Sequence, residues 1–263
     1  MSHPNIDAEE IILGKGVQID PSAKISGLNG KAKKIVIGDH SYIGARVQIM
    51  VDDFNLGDYG KIHHSINIHG SEPCSIGHNA WIGQYSILDC QGGLEIQNNC
   101  GIGAHSQLWS HIRYGDTLEG CRFKSEKKLE VGNDVWFVGH CIVSPIKAAD
   151  KSMALVGSVV THDMEENQIY AGNPAKSISE KVGYQFEKRS VDEKLKGLKD
   201  HLENSGISKE KIEIVERLDQ VQNDERSYFV IEERAYTKKG NKDEIEFMKY
   251  LLSEKAKFTP LAN

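Results

Sequence analysis

Aliphatic residues recur every six positions along the first two thirds of this chain, and that spacing excludes most folds. Ile37, Ile43 and Ile49 form one block, Ile76, Ile82 and Leu88 a second, and Ile96, Ile102 and Leu108 a third. Val131, Phe137 and Val143 form a fourth, and Ala154 and Val160 close the series. The slot four residues after each aliphatic is restricted as well. It holds Ser41, Val47, Ala80, Ser86, Cys100, Ser106, Val135, Cys141 and Ser158, all small or β-branched. An amphipathic helix repeats every 3.6 residues and a half-buried strand every 2, so neither keeps two restricted slots in phase from 37 to 160. A three-sided coil does. Each six-residue unit makes a short flat strand and a turn, the aliphatic points inward, and the small residue fits beside it. Three units close a coil, and coils stack about 4.8 Å apart through parallel-strand hydrogen bonds. Cys100 and Cys141 then need no chemistry, because they occupy the small inward slot.

A filled prism has no pocket, so function is expected where the repeat breaks. Residues 52 to 75 read as one break, containing His63, His64 and His69. Residues 109 to 128, WSHIRYGDTLEGCRFKSEKK, read as a second, an excursion carrying His111 just after Leu108. A smaller one is Cys90-Gln91-Gly92-Gly93. If Leu88 stacks under Leu108, Asp89 and its successors lie beneath Trp109, Ser110 and His111, one coil step away. Asp89 is then a carboxylate able to orient the imidazole or touch a substrate, with Asp116 and Glu119 as rival partners. Imidazole suits the role of general base, since its basicity lies near neutrality. His40, His78, His105, His140 and His162 are expected at the surface or at corners.

A formal net charge of −6 argues against a nucleic-acid surface. The chain has no apolar run long enough for a transmembrane helix, and MSHPNIDAEE is too polar and acidic for a signal peptide. The five cysteines form no C-x-x-C pair, which fits a reduced, cytoplasmic setting.

The chain ends its repeat with Val156-Gly157-Ser158-Val159-Val160-Thr161 and then Ala171-Gly172-Asn173-Pro174-Ala175-Lys176, after Val131-Gly132-Asn133-Asp134-Val135-Trp136. Over roughly residues 15 to 180 it resembles the hexapeptide-repeat left-handed β-helix acyltransferases, closest to their sugar and xenobiotic O-acetyltransferase branch. Gln97 and Val138 stand where that family's pattern expects glycine. The resemblance implies a left-handed parallel β-helix, although general chirality favours right-handed crossovers. It also implies a homotrimer, acetyl-CoA as acyl donor with no metal, and a small-molecule acceptor, most simply a carbohydrate hydroxyl. His111 would be the catalytic base at a subunit interface, aided by Asp89. The Gly139 N–H would face the thioester, with Trp136, Val156, Gly157, Thr161 and Lys176 along the pantetheine and nucleotide. Tyr85 and Ser86 stand near the place of the family's acceptor-holding asparagine, and Trp109 and Asp116 complete the expected acceptor contacts. N-acetylation of an amino sugar is the neighbouring alternative. A metal-dependent hydratase resembling γ-type carbonic anhydrases, and a non-catalytic assembly platform, are the alternatives from other classes.

After Lys176 the period vanishes. The sequence predicts a β-helix domain over 1–180 and a small α+β domain over 181–263. In the latter, helices are expected at 190–204 and 241–256, with strands at 212–215 and 228–231.

Overall fold

A computed structural model of the chain describes residues 3–253 and 255–261. It divides into two compact units, Met1–Phe186 and Glu187–Asn263.

The first unit is the expected prism, a three-sided parallel β-helix. Among the described residues its first face stacks seven strands, Ala8–Leu13, Ala32–Ile37, Asp53–Leu56, Cys74–Ile76, Leu94–Ile96, Leu129–Val131 and Lys147–Ala148. The second face runs from Gln18–Ile19 to Met153–Ala154 and is closed by the hairpin of Ile169–Gly172 with Ala175–Ser177. The third runs from Lys24–Ser26 through Asn67–His69, Ile87–Asp89 and Gln107–Leu108 to Val159–Val160. Register follows the repeat: Ile76 pairs with Ile96, Ile82 with Ile102, and Leu88 with Leu108. Ile37, Ile43, Ile49, Leu88, Ile102 and Val143 are buried, and so is every residue of the small slot from Ser41 to Ser158. Both restricted slots therefore have one cause: they share the interior of a narrow triangle.

Sharp corners put ordinary residues in the left-handed region. Tyr59, Asn79, Asn99 and Asp134 adopt positive φ at the first corner, as do Arg46, Ser65, Tyr85, His105 and His140 at the second. Such a conformation is unfavourable for a residue with a Cβ, and stacking between successive coils helps hold it. Tyr85 stacks on His105 with centroids 5.0 Å apart, and His105 on His140 at 4.8 Å. At the first corner the Asn79 side-chain amide donates to Asn99 Oδ1 at 2.9 Å.

One expectation is corrected. Residues 52 to 75 do not leave the repeat but form a regular coil, with Leu56, Ile62 and Ile68 buried at six-residue spacing. The pattern is masked in the sequence because Ile66 fills a slot that elsewhere holds a smaller residue. His63 and His64 consequently lie at the second corner and His69 ends a third-face strand, so the three do not share a loop. The first coil, with Leu13, Ile19 and Ile25, also precedes the first block read from the sequence.

The second unit packs helices Val191–Ser205 and Lys242–Leu251 with a four-stranded sheet of Ile212–Val215, Ser227–Val230, Ala235–Tyr236 and Thr259–Pro260. Ser190 caps the first helix in a reciprocal capping box with Glu193, and Gly206 ends it in the left-handed conformation. Leu198 and Leu202 are buried along one face of that helix, Phe247, Met248 and Leu251 along the other helix. The predicted helix over 241–256 is shorter than expected, and position 254 within it lies outside the described residues. The last two strands are too short to show a sequence period.

Candidate active site

The third corner is where the coil is interrupted, and here residues 109–128 leave the prism as a hairpin. His111–Arg113 pairs antiparallel with Lys124–Glu126, so His111 sits at the base beside the prism wall. Gly92 lets the hairpin leave there. A Cβ on it would lie 2.4 Å from the Ser110 carbonyl oxygen and 2.7 Å from the Lys127 backbone nitrogen.

Asp89, the last residue of its strand, is 0% exposed and turns one oxygen upward. Its Oδ2 accepts from the Ser110 N–H at 2.8 Å and the Ser110 hydroxyl at 2.6 Å, and lies 2.8 Å from His111 Nδ1. An ionised carboxylate only accepts, so Nδ1 carries a proton, and in the neutral imidazole Nε2 then holds the lone pair. The Ser110 hydroxyl in turn accepts from the Gly92 N–H at 2.9 Å. The His111 side chain remains 25% exposed. The result is an oriented imidazole with one basic nitrogen directed away from its anchor, an arrangement suited to general-base chemistry.

The structure thus places one carboxylate of the three against His111. Asp116 Oδ1 instead accepts from the backbone N–H groups of Leu118 and Glu119, stabilising the hairpin's own turn. Trp109 lies beside the imidazole, with ring centroids 6.4 Å apart. Ser110 went unrecognised in the sequence. Its signal was position: with Leu88 paired to Leu108, Ser110 comes one residue after the register partner of Asp89.

The remaining sequence candidates are dispersed. Tyr85, Gly139, Val156 and Gly157 lie at the second corner, Trp136 and Lys176 belong to second-face strands, and Thr161 follows a third-face strand. Tyr85, Trp136 and Val156 are exposed. Gly139 has φ +149, and Gly157, at φ +74, has open space where a Cβ would point. Ser86 is corrected: it is buried, and its hydroxyl is directed at the Gly103 carbonyl 3.3 Å away, so it cannot contact an acceptor. Within one chain a whole face separates the corner of Gly139 from that of His111. The step from 139 to 144 spans at most roughly 17 Å.

The three-histidine alternative finds no support in the coil geometry. His63 and His64 are at a different corner from His69, and among the described residues no group of three His, Cys, Asp or Glu is placed to hold a metal ion. Burial, with Lys61 and His64 nearby, lowers the pKa of His63. Among the described residues no helix is long and apolar enough to cross a membrane.

Repeat, coil and register together define a parallel β-helix built on a six-residue repeat. No family model matches the chain. Over 53 residues it is 36% identical to the galactoside O-acetyltransferase of Escherichia coli strain K12, a match covering 20% of this chain and 26% of that protein. The chain thus aligns with about a quarter of that relative's length. Among solved structures it is similar to a maltose O-acetyltransferase from Clostridium difficile 630, with 24% identity, TM-score 0.36, and coverage of 47% of this chain and 67% of that one. It is also similar to a UDP-N-acetylglucosamine acyltransferase from Campylobacter jejuni, with 20% identity, TM-score 0.47, and coverage of 77% and 90%. A third is an N-acyltransferase from Bacillus cereus in complex with dTDP and coenzyme A, with 19% identity, TM-score 0.44, and coverage of 76% and 93%. These stand as likenesses only; the chemistry of the site follows from this chain's own atoms.

Proposed function

We propose that this chain is a CoA-dependent acyltransferase that acetylates a hydroxyl of a sugar or sugar-containing acceptor, working as a homotrimer. The observation carrying the reading is the His111–Asp89 couple, an anchored imidazole at the base of the long excursion of residues 109–128 from the coil. The acceptor hydroxyl forms a C–O bond to the acyl carbon while His111 Nε2 removes its proton. Asp89 holds the imidazolium through Nδ1–H. The C–S bond breaks, and the imidazolium returns the proton to the departing thiolate. Acetyl-CoA is the acyl donor, consistent with the local match to a galactoside O-acetyltransferase.

The donor side is assigned to the second corner of a neighbouring copy. Gly139 supplies an N–H for the developing oxyanion, and the exposed Val156 and open Gly157 leave room for the pantetheine arm. Trp136, Thr161 and Lys176 extend this surface, with Lys176 pairing a phosphate as a point charge. Tyr85, Trp109 and Asp116 are assigned to the acceptor side. The separation of the two corners within one chain supports a site built from two copies.

The test is release of CoA thiol from acetyl-CoA against a panel of galactosides, maltose, nucleotide sugars, amino sugars and oligosaccharides. Acceptor-dependent release is expected. His111→Ala should reduce it about 10²- to 10⁴-fold with the oligomer intact by light scattering. A His111→Ala protein that transfers at the wild-type rate overturns the assignment.

A further inference from the structure

The two oxygens of Asp89 are unequally served. Oδ2 meets three donors, whereas Oδ1 is buried without a hydrogen-bond partner. A buried carboxylate oxygen with no donor is unfavourable, because the water it gave up has not been replaced. His69 Nε2 is 3.9 Å from that oxygen. His69 is the residue paired with Asp89 on the adjacent strand of the third face, one coil step down. Asn67 Oδ1 lies 3.2 Å from His69 Nδ1, and in the neutral ring this bond and a bond from Nε2 to Asp89 are alternatives set by which nitrogen carries the proton. The rung is tightly built at this point. A Cβ on Gly70 would come within 2.1 Å of the Cys90 carbonyl carbon, so the two coils are in contact immediately after His69 and Asp89.

We infer that His69 is a positioning residue, holding the Asp89 carboxylate from below through Oδ1 while His111 engages Oδ2 from above. An approach of about 1 Å brings His69 Nε2 to hydrogen-bonding distance. His69 is 33% exposed, so the ring has room to make that movement. The inference rests on His111 being the base, and it assigns a function to a histidine that the acyl-transfer chemistry leaves unused. Without His69 the carboxylate keeps one unsatisfied buried oxygen and loses the fixed orientation that aligns His111.

The experiment compares His69→Gln, which keeps an N–H donor at similar reach, with His69→Phe, which keeps the ring volume but has no donor. Two readouts are used. The first is acetyl-CoA turnover with the acceptor found in the panel. The second needs no acceptor: the rate at which diethyl pyrocarbonate modifies His111, localised by fragmentation mass spectrometry. His69→Phe is expected to lower kcat about tenfold, the scale of a lost orienting partner, with KM for acetyl-CoA unchanged, and to slow modification of His111. His69→Gln should stay within about twofold of wild type in both. If His69→Phe does not fold, His69→Met supplies the donor-free comparison. Wild-type behaviour of the donor-free variant overturns the inference, and so does a His69→Gln protein as impaired as His69→Phe, since packing alone would then explain the residue. Failure of wild type to transfer acetyl groups would sink the acyltransferase reading. The modification rates would still decide whether His69 acts on His111.

Discussion

Substituting Asp89 two ways separates its contribution to folding from its contribution to catalysis. In Asp89→Ala the N–H and hydroxyl of Ser110, both in a fully buried residue, lose their acceptor. Each buried unsatisfied donor costs about 1–3 kcal/mol, so the loss is roughly 2–6 kcal/mol. Removing a buried charge offsets part of this and places the expectation near the lower end. Asp89→Asn differs, because its carbonyl oxygen can occupy the position of Oδ2 and keep both bonds to Ser110. Its stability should remain within about 1 kcal/mol of wild type. What Asn cannot do is stabilise the imidazolium by charge. A hydrogen bond to a charged partner is worth about 1.5–3 kcal/mol, which corresponds to about 10- to 150-fold in kcat. Urea denaturation followed by circular dichroism, alongside acetyl-CoA turnover, reads both quantities. A fully active Asp89→Asn protein would refute the reasoning, as would an Asp89→Ala protein as stable as Asp89→Asn.

The same structure carries three further expectations. Gly92→Ala should displace the hairpin, since the new methyl meets backbone of Ser110 and Lys127 that cannot swing aside; activity should fall while the circular dichroism of the prism is retained. Because burial lowers the pKa of His63 from its ordinary 6.5, the unfolded chain binds more protons there. Its contribution to stability is thus fully present above about pH 6.5 and lost as pH falls toward the folded value, and urea midpoints of His63→Gln should decline less on acidification. The neighbouring Cys74 thiol and burial push the Cys90 thiol well above its ordinary range, and burial raises Cys141. Iodoacetamide at neutral pH should therefore label Cys121, in the hairpin, before either; peptide mass spectrometry would contradict this by finding Cys90 or Cys141 modified first.

The six-residue period was sufficient to specify the prism, because a triangle of this size admits only one inward aliphatic and one small neighbour per side. It also specified the vertical relation of Asp89 to the 109–111 segment, since parallel strands in register convert a count of residues into a distance. The coil at 52–75 was hidden because a bulky Ile66 and two corner histidines interrupt the pattern without interrupting the backbone. Helix capping at Ser190 and Gly206 was equally local, and so equally readable.

Only the folded chain decided which carboxylate serves His111, that Ser86 turns inward, and that His69 stands under Asp89. It alone set the corner of Gly139 a full face away from the imidazole. Those outcomes depend on side-chain direction at a corner and on how an irregular loop re-enters the coil. Neither repeats with the sequence period, so each had to be resolved by packing in three dimensions.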